Sequence, residues 1–137
     1  MVRILIVIAL LTIAYLLYLL RGYRIHFYAW RLGFPSPKFD FLVEKDVKVP
    51  MLDGVVLYAD VYRPEKRGKF PVMIARTPYN KRGGLNSYKE IAELFASQGY
   101  VVVIQDIRGK HASEGRFLPY FNEALDGHAT INWAGTA

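Results

Sequence analysis

The chain has 137 residues, with eighteen Lys and Arg against twelve Asp and Glu, three histidines and no cysteine. The absence of cysteine excludes a disulfide framework, a thiolate metal site and a lipid-modified amino-terminal cysteine, and histidines without paired spacing give no basis for a metal centre. Five basic residues, Arg3, Arg21, Arg24, Arg31 and Lys38, precede the first acid, Asp40, so the other thirteen face all twelve acids; the basic excess belongs to the amino-terminal segment and does not indicate nucleic acid.

Ile4 to Leu20 is a run of seventeen uncharged residues, at the short end of what a membrane-spanning helix needs. A cleaved signal peptide has a shorter apolar run and small residues before its cleavage site; here the run ends in Leu19, Leu20 and Arg21, which favours an uncleaved anchor in contact with lipid through residues 4–20. Residues 1–21 are thus expected as a transmembrane anchor and 22–40 as a basic, aromatic juxtamembrane segment. Tyr23, Phe27, Tyr28 and Trp30 suit either a headgroup position or packing on the folded part. The few flanking charges bias the carboxyl-terminal part toward the cytoplasm without fixing its side.

Residues 41–137 read as an α/β domain. In Phe41 to Met51, Val43, Val47, Val49 and Met51 alternate with Glu44, Asp46 and Lys48, the period of a half-buried strand. Asp53-Gly54 supplies a tight turn. A second alternating strand follows, with Leu57, Ala59 and Val61 inward and Tyr58, Asp60 and Tyr62 outward, and Lys66 to Lys69 form a solvated turn. Val72 to Ala75 and Val101 to Ile104 are unbroken apolar runs, expected of parallel strands covered on both faces. Between them a helix is predicted with a Ser87/Glu90 capping box, an apolar stripe of Ile91, Leu94 and Phe95, and Gly99 at its end. A second helix is predicted from about Asn122, its cap, to Trp133, with Gly135 ending it.

Several short pieces then stand in a fixed order: Met51-x-Asp53-Gly54, Asp60-Val61-Tyr62-Arg63-Pro64, Arg76-Thr77-Pro78-Tyr79, Gln105-Asp106-Ile107-Arg108-Gly109, Ser113-Glu114-Gly115 and Glu123-Ala124-x-Asp126-Gly127. Together they resemble the opening third of the α/β-hydrolase family of X-prolyl dipeptidyl peptidases, cocaine esterase and related acylases, over roughly Lys45 to Trp133. The resemblance implies the amino-terminal portion of an α/β-hydrolase sheet, an antiparallel pair followed by a parallel βαβ unit. It also implies a serine hydrolase that cleaves a small ester, amide or peptide through an acyl-enzyme, without metal or organic cofactor.

By the same resemblance, Tyr79 is the position whose hydroxyl donates to the oxyanion of the tetrahedral intermediate, a role suited to a phenol that stays protonated at neutral pH. Without that context Tyr79 reads as a tyrosine packed in a Pro-Tyr turn. Asp106 and Arg108 lie at the carboxyl end of a buried strand, where sites in α/β folds gather, but an Asp and an Arg two apart read as a structural pair holding their loop. His111-Ala112-Ser113-Glu114-Gly115 superficially resembles a nucleophile elbow. Ser113 lies too far past its strand, with no helix directly after it, to be the nucleophile. Ser36, Ser87 and Ser97 are equally unsuited, and His128 reads as a helix-surface residue.

The Ser-Asp-His triad is therefore expected beyond Ala137, the chain is expected to be an inactive amino-terminal fragment, and Val72 to Ala75 is expected to be an unpaired apolar edge. Two other readings stand beside the hydrolase. One is a non-catalytic, membrane-tethered interaction module whose edge is completed by a strand of a partner chain. The other is a small basic membrane protein acting through its anchor.

Overall fold

The computed structural model describes residues 2–83 and 88–136, and the side chains of these except 2–4 and 17–22. The chain separates into two compact units, Met1–Pro37 and Lys38–Ala137.

The first unit is dominated by one helix, α1 (Val2–Arg31). It passes without interruption through the expected boundary between anchor and juxtamembrane segment. Most of the apolar side chains from Leu5 to Leu16 are more than half exposed, as are Tyr23, Phe27 and Trp30. Phe27 lies edge-on to Tyr28 and tilted against Trp30, both at 6.1 Å between ring centres. Among the described residues no helix is long and apolar enough to cross a membrane; of the expected span, the side chains of Ile4 and Leu17 to Leu20 lie outside the described residues.

The second unit is a four-stranded sheet with one helix on each face. Its elements in chain order are β1 (Phe41–Pro50), β2 (Val56–Pro64), β3 (Val72–Thr77), α2 (Tyr88–Ser97), β4 (Val101–Asp106) and α3 (Glu123–Ala134). The strand order is β1-β2-β4-β3, antiparallel between β1 and β2 and between β2 and β4, and parallel between β3 and β4. The mixed α/β sheet follows the expected order of an antiparallel pair and then a strand-helix-strand unit. Of the two unbroken apolar runs, β4 lies between the helices, with Val102 and Ile104 toward α2 and Val103 toward α3, as an apolar strand covered on both faces should; β3 is not covered on both faces, and its Val72 and Met73 stay partly exposed.

Two readings of the antiparallel pair need correction. The alternation in β1 is not continuous, because a bulge lies between Glu44 and Val47, where Glu44 pairs with Val61 and Val47 with Ala59. The extra residue turns the strand over. Val47, Val49 and Met51 face α3, whereas Val43, opposite Tyr62, faces the other way with α2. Asp46, inside the bulge, has φ of 54°. Nor are Asp60 and Tyr62 outward. Both are buried, with Tyr62 packed among Ala92, Ala96, Val102 and Ile104 beneath α2. Strict alternation signals one solvated face only where nothing covers it, and here α2 does.

The α3 face holds the larger core, Val49, Met51, Leu57, Ala59, Val61 and Val103 against Ala129 and Ala134, with Trp133 beside it. Helix α2 buries Ala92, Leu94 and Ala96, while Ile91 of the expected stripe is 53% exposed. Small alanines form the contact, letting the helix approach the sheet closely. Ser87, the expected cap of α2, lies outside the described residues; Gly99 ends the helix with φ of 99°. Asn122 occupies the N-cap position of α3 but makes no side-chain capping hydrogen bond, and Gly135 closes the helix through its N–H to Ile131 O.

Strand β3 is one edge of the sheet and β1 the other. Val72 and Met73 are 39% and 36% exposed. An open, largely apolar groove of about 730 Å³, lined by Val61, Phe70, Val72, Val101, Val103 and Trp133 among others, adjoins its amino-terminal end.

Candidate active site

The carboxyl ends of β3 and β4 lie side by side, with Thr77 opposite Asp106. Thr77 is fully buried, accepts Ile107 N–H at its carbonyl (3.1 Å) and accepts Tyr79 N–H at Oγ1 (3.1 Å). From that anchored point the chain turns through Pro78 to Asn80, whose φ of 72° reverses it. Tyr79, at the tip, is 77% exposed. The turn thus presents a phenol to solvent from a backbone fixed beneath it.

Two ionic networks flank this end of the sheet, one on each face. On the α2 face, Asp106 is fully buried and takes Lys81 twice, the backbone N–H at Oδ1 (2.8 Å) and the ammonium at Oδ2 (2.7 Å). The ammonium of Lys81, itself 3% exposed, also lies 3.1 Å from Asp46 Oδ1. Arg82 donates from Nε and Nη2 to the buried Asp60 at 2.7 and 2.8 Å and reaches Asp46 Oδ2 at 2.6 Å. The bulge in β1 makes this possible, since it points Asp46 N–H at Asp60 Oδ1 (3.0 Å) and Asp46's carboxylate at both cations. Three carboxylates hold two cations here. Hydrogen bonding from Arg82 holds the Asp46 carboxyl below its usual range, and Asp60, then Asp46, hold the Arg82 guanidinium charged to still higher pH than usual.

On the α3 face, Arg108 bridges three segments. Its Nε and Nη2 donate to Asp126 of α3 at 3.0 and 2.6 Å, and its Nη1 and Nη2 donate to Asp53 of the β1–β2 turn at 2.7 and 3.1 Å. A planar guanidinium can give two hydrogen bonds to each of two carboxylates, a pairing an ammonium with three donors cannot match. The bond to Arg108 lowers the Asp53 pKa, and Asp126 is the larger cause of the upward shift at Arg108. Beside it Arg76 donates to Gln105 Oε1 (2.8 Å) and to the carbonyl and carboxylate of Glu123 (2.9 and 2.7 Å). Asp106 and Arg108 of the Asp-x-Arg-Gly loop therefore turn to opposite faces, each to its own network.

The loop after β4 also extends the sheet. Ser113 Oγ accepts Tyr58 N–H (2.9 Å) and donates to Asp106 O (2.7 Å), and Glu114 exchanges hydrogen bonds with Val56 through its N–H and carboxylate. These bonds satisfy β2 amides beyond the reach of β4. Ser113 is thus a buried, doubly bonded loop residue. Gly109, at φ of 67°, carries the chain so close to the returning loop that a Cβ would lie 2.2 Å from Phe117 N.

The remaining candidates are apart from Tyr79 or committed elsewhere. His111 is exposed, and its Nε2 lies 3.0 Å from Pro78 O. His128 is an exposed residue of α3 paired with Asn132. Ser97 is buried and donates to Leu94 O (2.6 Å). Among the described residues no group of His, Cys, Asp or Glu could hold a metal ion. The sequence reading missed Asp46, Asp53, Asp60, Lys81, Arg82, Arg76 and Asp126 as network members. Asp53, Asp60, Arg76 and Asp126 stood within the quoted motifs, but nothing in the one-dimensional order pairs Arg108 with residues 55 positions before it and 18 after it.

Comparisons with known proteins agree with this architecture. Residues 53–136 match the family model described as X-Pro dipeptidyl-peptidase (S15 family). The cocaine esterase of Rhodococcus sp. (strain MB1 Bresler) is 41% identical over 96 residues, 69% of this chain and 17% of the esterase. Among solved structures, a CocE/NonD family hydrolase from Staphylococcus aureus is similar with a TM-score of 0.61 and 30% identity, over 71% of this chain and 21% of the hydrolase. An alpha-amino acid ester hydrolase is similar with a TM-score of 0.58 and 30% identity, over 72% of this chain and 19% of that one. The chain thus spans about a fifth or less of the length of these relatives.

Proposed function

Because the chain belongs to the X-Pro dipeptidyl-peptidase (S15) family, a family of hydrolases, we propose that it provides the amino-terminal, oxyanion-donating part of a serine hydrolase. The substrate class is an ester, amide or X-prolyl peptide, cleaved through an acyl-enzyme. The observation that carries this reading is the Tyr79 turn: an exposed phenol at the carboxyl edge of a parallel strand pair, held by a buried frame. When a nucleophile adds to a carbonyl, charge develops on the oxygen, and a donor already in place stabilises it without reorganising. The phenol gives its hydrogen bond to that oxygen and keeps its proton throughout.

The nucleophile, its base and the acid are assigned to other parts of the whole protein. Ser97 and Ser113 are bonded within the scaffold, and His111 and His128 pair with groups other than a serine. The 137-residue chain by itself is therefore expected not to hydrolyse p-nitrophenyl butyrate and not to be labelled by a fluorophosphonate. Turnover with labelling of one of its serines would overturn this assignment.

The protein is further proposed to be anchored to a membrane through the amino-terminal helix. Its support is the band of exposed Leu, Ile and Val from Leu5 to Leu16, which is costly to leave in water. Retention in the membrane fraction after carbonate extraction checks it, and release of the chain into the soluble fraction contradicts it. A non-catalytic role, in which a partner chain adds a strand at β3, is the second reading, favoured by the open apolar edge there. A partner that co-purifies with the intact chain, and is lost when Met73→Lys places a charge at the edge, distinguishes it.

A further inference from the structure

The carboxyl end of β4 and the loop after it hold the Tyr79 turn on both sides of the tyrosine. Before it, Ile107 N–H bonds Thr77 O (3.1 Å) and His111 Nε2 lies 3.0 Å from Pro78 O. After it, Asp106 takes both the backbone and the ammonium of Lys81. Lys81 is a long cation kept 3% exposed two residues from an exposed tip. A surface turn of this length needs no buried lysine for its own hydrogen bonds, since Asn80 Oδ1 already accepts Arg82 N–H (3.0 Å). The two-point attachment to one carboxylate fixes both the position and the direction of the backbone leaving Tyr79. The ammonium also meets Asp46, in the β1 bulge, so the attachment is braced from a third segment.

We propose that Lys81 is a positioning residue for Tyr79, clamped by Asp106 and braced by Asp46, so that the phenol is held in one place before any substrate arrives. Its purpose rests on the oxyanion reading of Tyr79. A donor that stabilises developing charge acts best when it is fixed in advance, and displacement of about 1 Å is costly. Lys81 and Asp106 touch no reacting atom in this account; they act through the turn.

The test follows the turn in the intact 137-residue chain in detergent micelles, labelled with 3-fluorotyrosine, by fluorine NMR at Tyr79 and amide exchange at 79–81. In Lys81→Met, exchange at these amides is expected to be about tenfold faster, the scale of a lost charge-assisted bond, and the Tyr79 signal is expected to narrow. The β2–β4 amides should keep their protection. Because Lys81→Met leaves Asp106 buried without its cation, the double variant Lys81→Met/Asp106→Leu removes both charges together, a change that folds generally tolerate, and should release the turn equally. Asp46→Asn, which weakens the half-exposed brace on Lys81 together with the pair to Arg82 and leaves the Asp106 clamp in place, should give a change of about twofold. An unchanged Tyr79 signal in the folded variants, or equal acceleration at the β2–β4 amides, would overturn the proposal. Tyr79→Phe addresses the separate oxyanion reading: if that substitution leaves hydrolysis by the whole enzyme intact while the Lys81 variants free the turn, the clamp stands and its catalytic purpose falls.

Discussion

Arg108 does at the level of a single side chain what a longer connection would otherwise have to do. It joins the β1–β2 turn, the β4 loop and α3 through two carboxylates. Asp126 is 2% exposed, so removing its partner leaves a buried charge whose remaining cation among the described residues is Arg76, with Nη2 at 3.8 Å. Arg108→Ala should therefore lower unfolding stability by about 3 kcal/mol or more, read from the urea midpoint. A loss within the noise of a surface substitution would show the network to be dispensable. Titration adds a second residue-level test. Burial first, then the nearby charges of Asp60 and Glu93, push the Tyr62 hydroxyl up to about 12 from 10.0. A group raised on folding holds more protons in the folded state between the two values, so stability should fall as pH rises from about 10 to about 12 and not below that window. Tyr62→Phe should remove that part of the alkaline loss; an unchanged alkaline profile in the variant would contradict the assignment. At the acid end the sign reverses. Asp46 and Asp53 have lowered values, so their contributions are present above about pH 4 and are lost as pH falls further.

Among the elements, the strands and helices were legible in the sequence because β1 and β2 alternate, β3 and β4 are unbroken apolar runs and the helices carry end signals, and their ends fell within a few residues of Phe41, Val72, Val101 and Glu123. The faces were less legible. The pattern from Phe41 to Met51 cannot show the inserted residue at Asp46, because a bulge exchanges inside for outside without changing residue types, and Tyr62 reads as outward until α2 is placed over it. The Asp-x-Arg-Gly loop was recognisable as a unit, yet its two charged residues serve opposite faces. Pairing across 55 positions depends on tertiary geometry that local order does not encode. Gly109 within the same loop is a stringent element-level test. Alanine there combines a positive φ, which costs about 1–2 kcal/mol, with a close approach to backbone at Phe117 N. Gly109→Ala should destabilise the second unit by at least that amount in urea unfolding, and wild-type stability would mean the loop has another conformation available.

For the whole molecule, the sheet, its two covering helices and the Tyr79 turn amount to a frame that ends in an open strand, β3. In a larger sheet that edge would be paired, and the similarity to much longer hydrolases supports the proposal that the remaining catalytic groups lie elsewhere. The claim on which the account rests is that this frame delivers a working oxyanion donor. It is tested most directly by replacing the matching segment of the Rhodococcus cocaine esterase with residues 41–137 of this chain and measuring kcat on p-nitrophenyl butyrate with and without Tyr79→Phe. The chimera is expected to be active, with a kcat that falls by about 10²–10³ on loss of the single hydroxyl and little change in KM. An active chimera that is indifferent to Tyr79→Phe would contradict it.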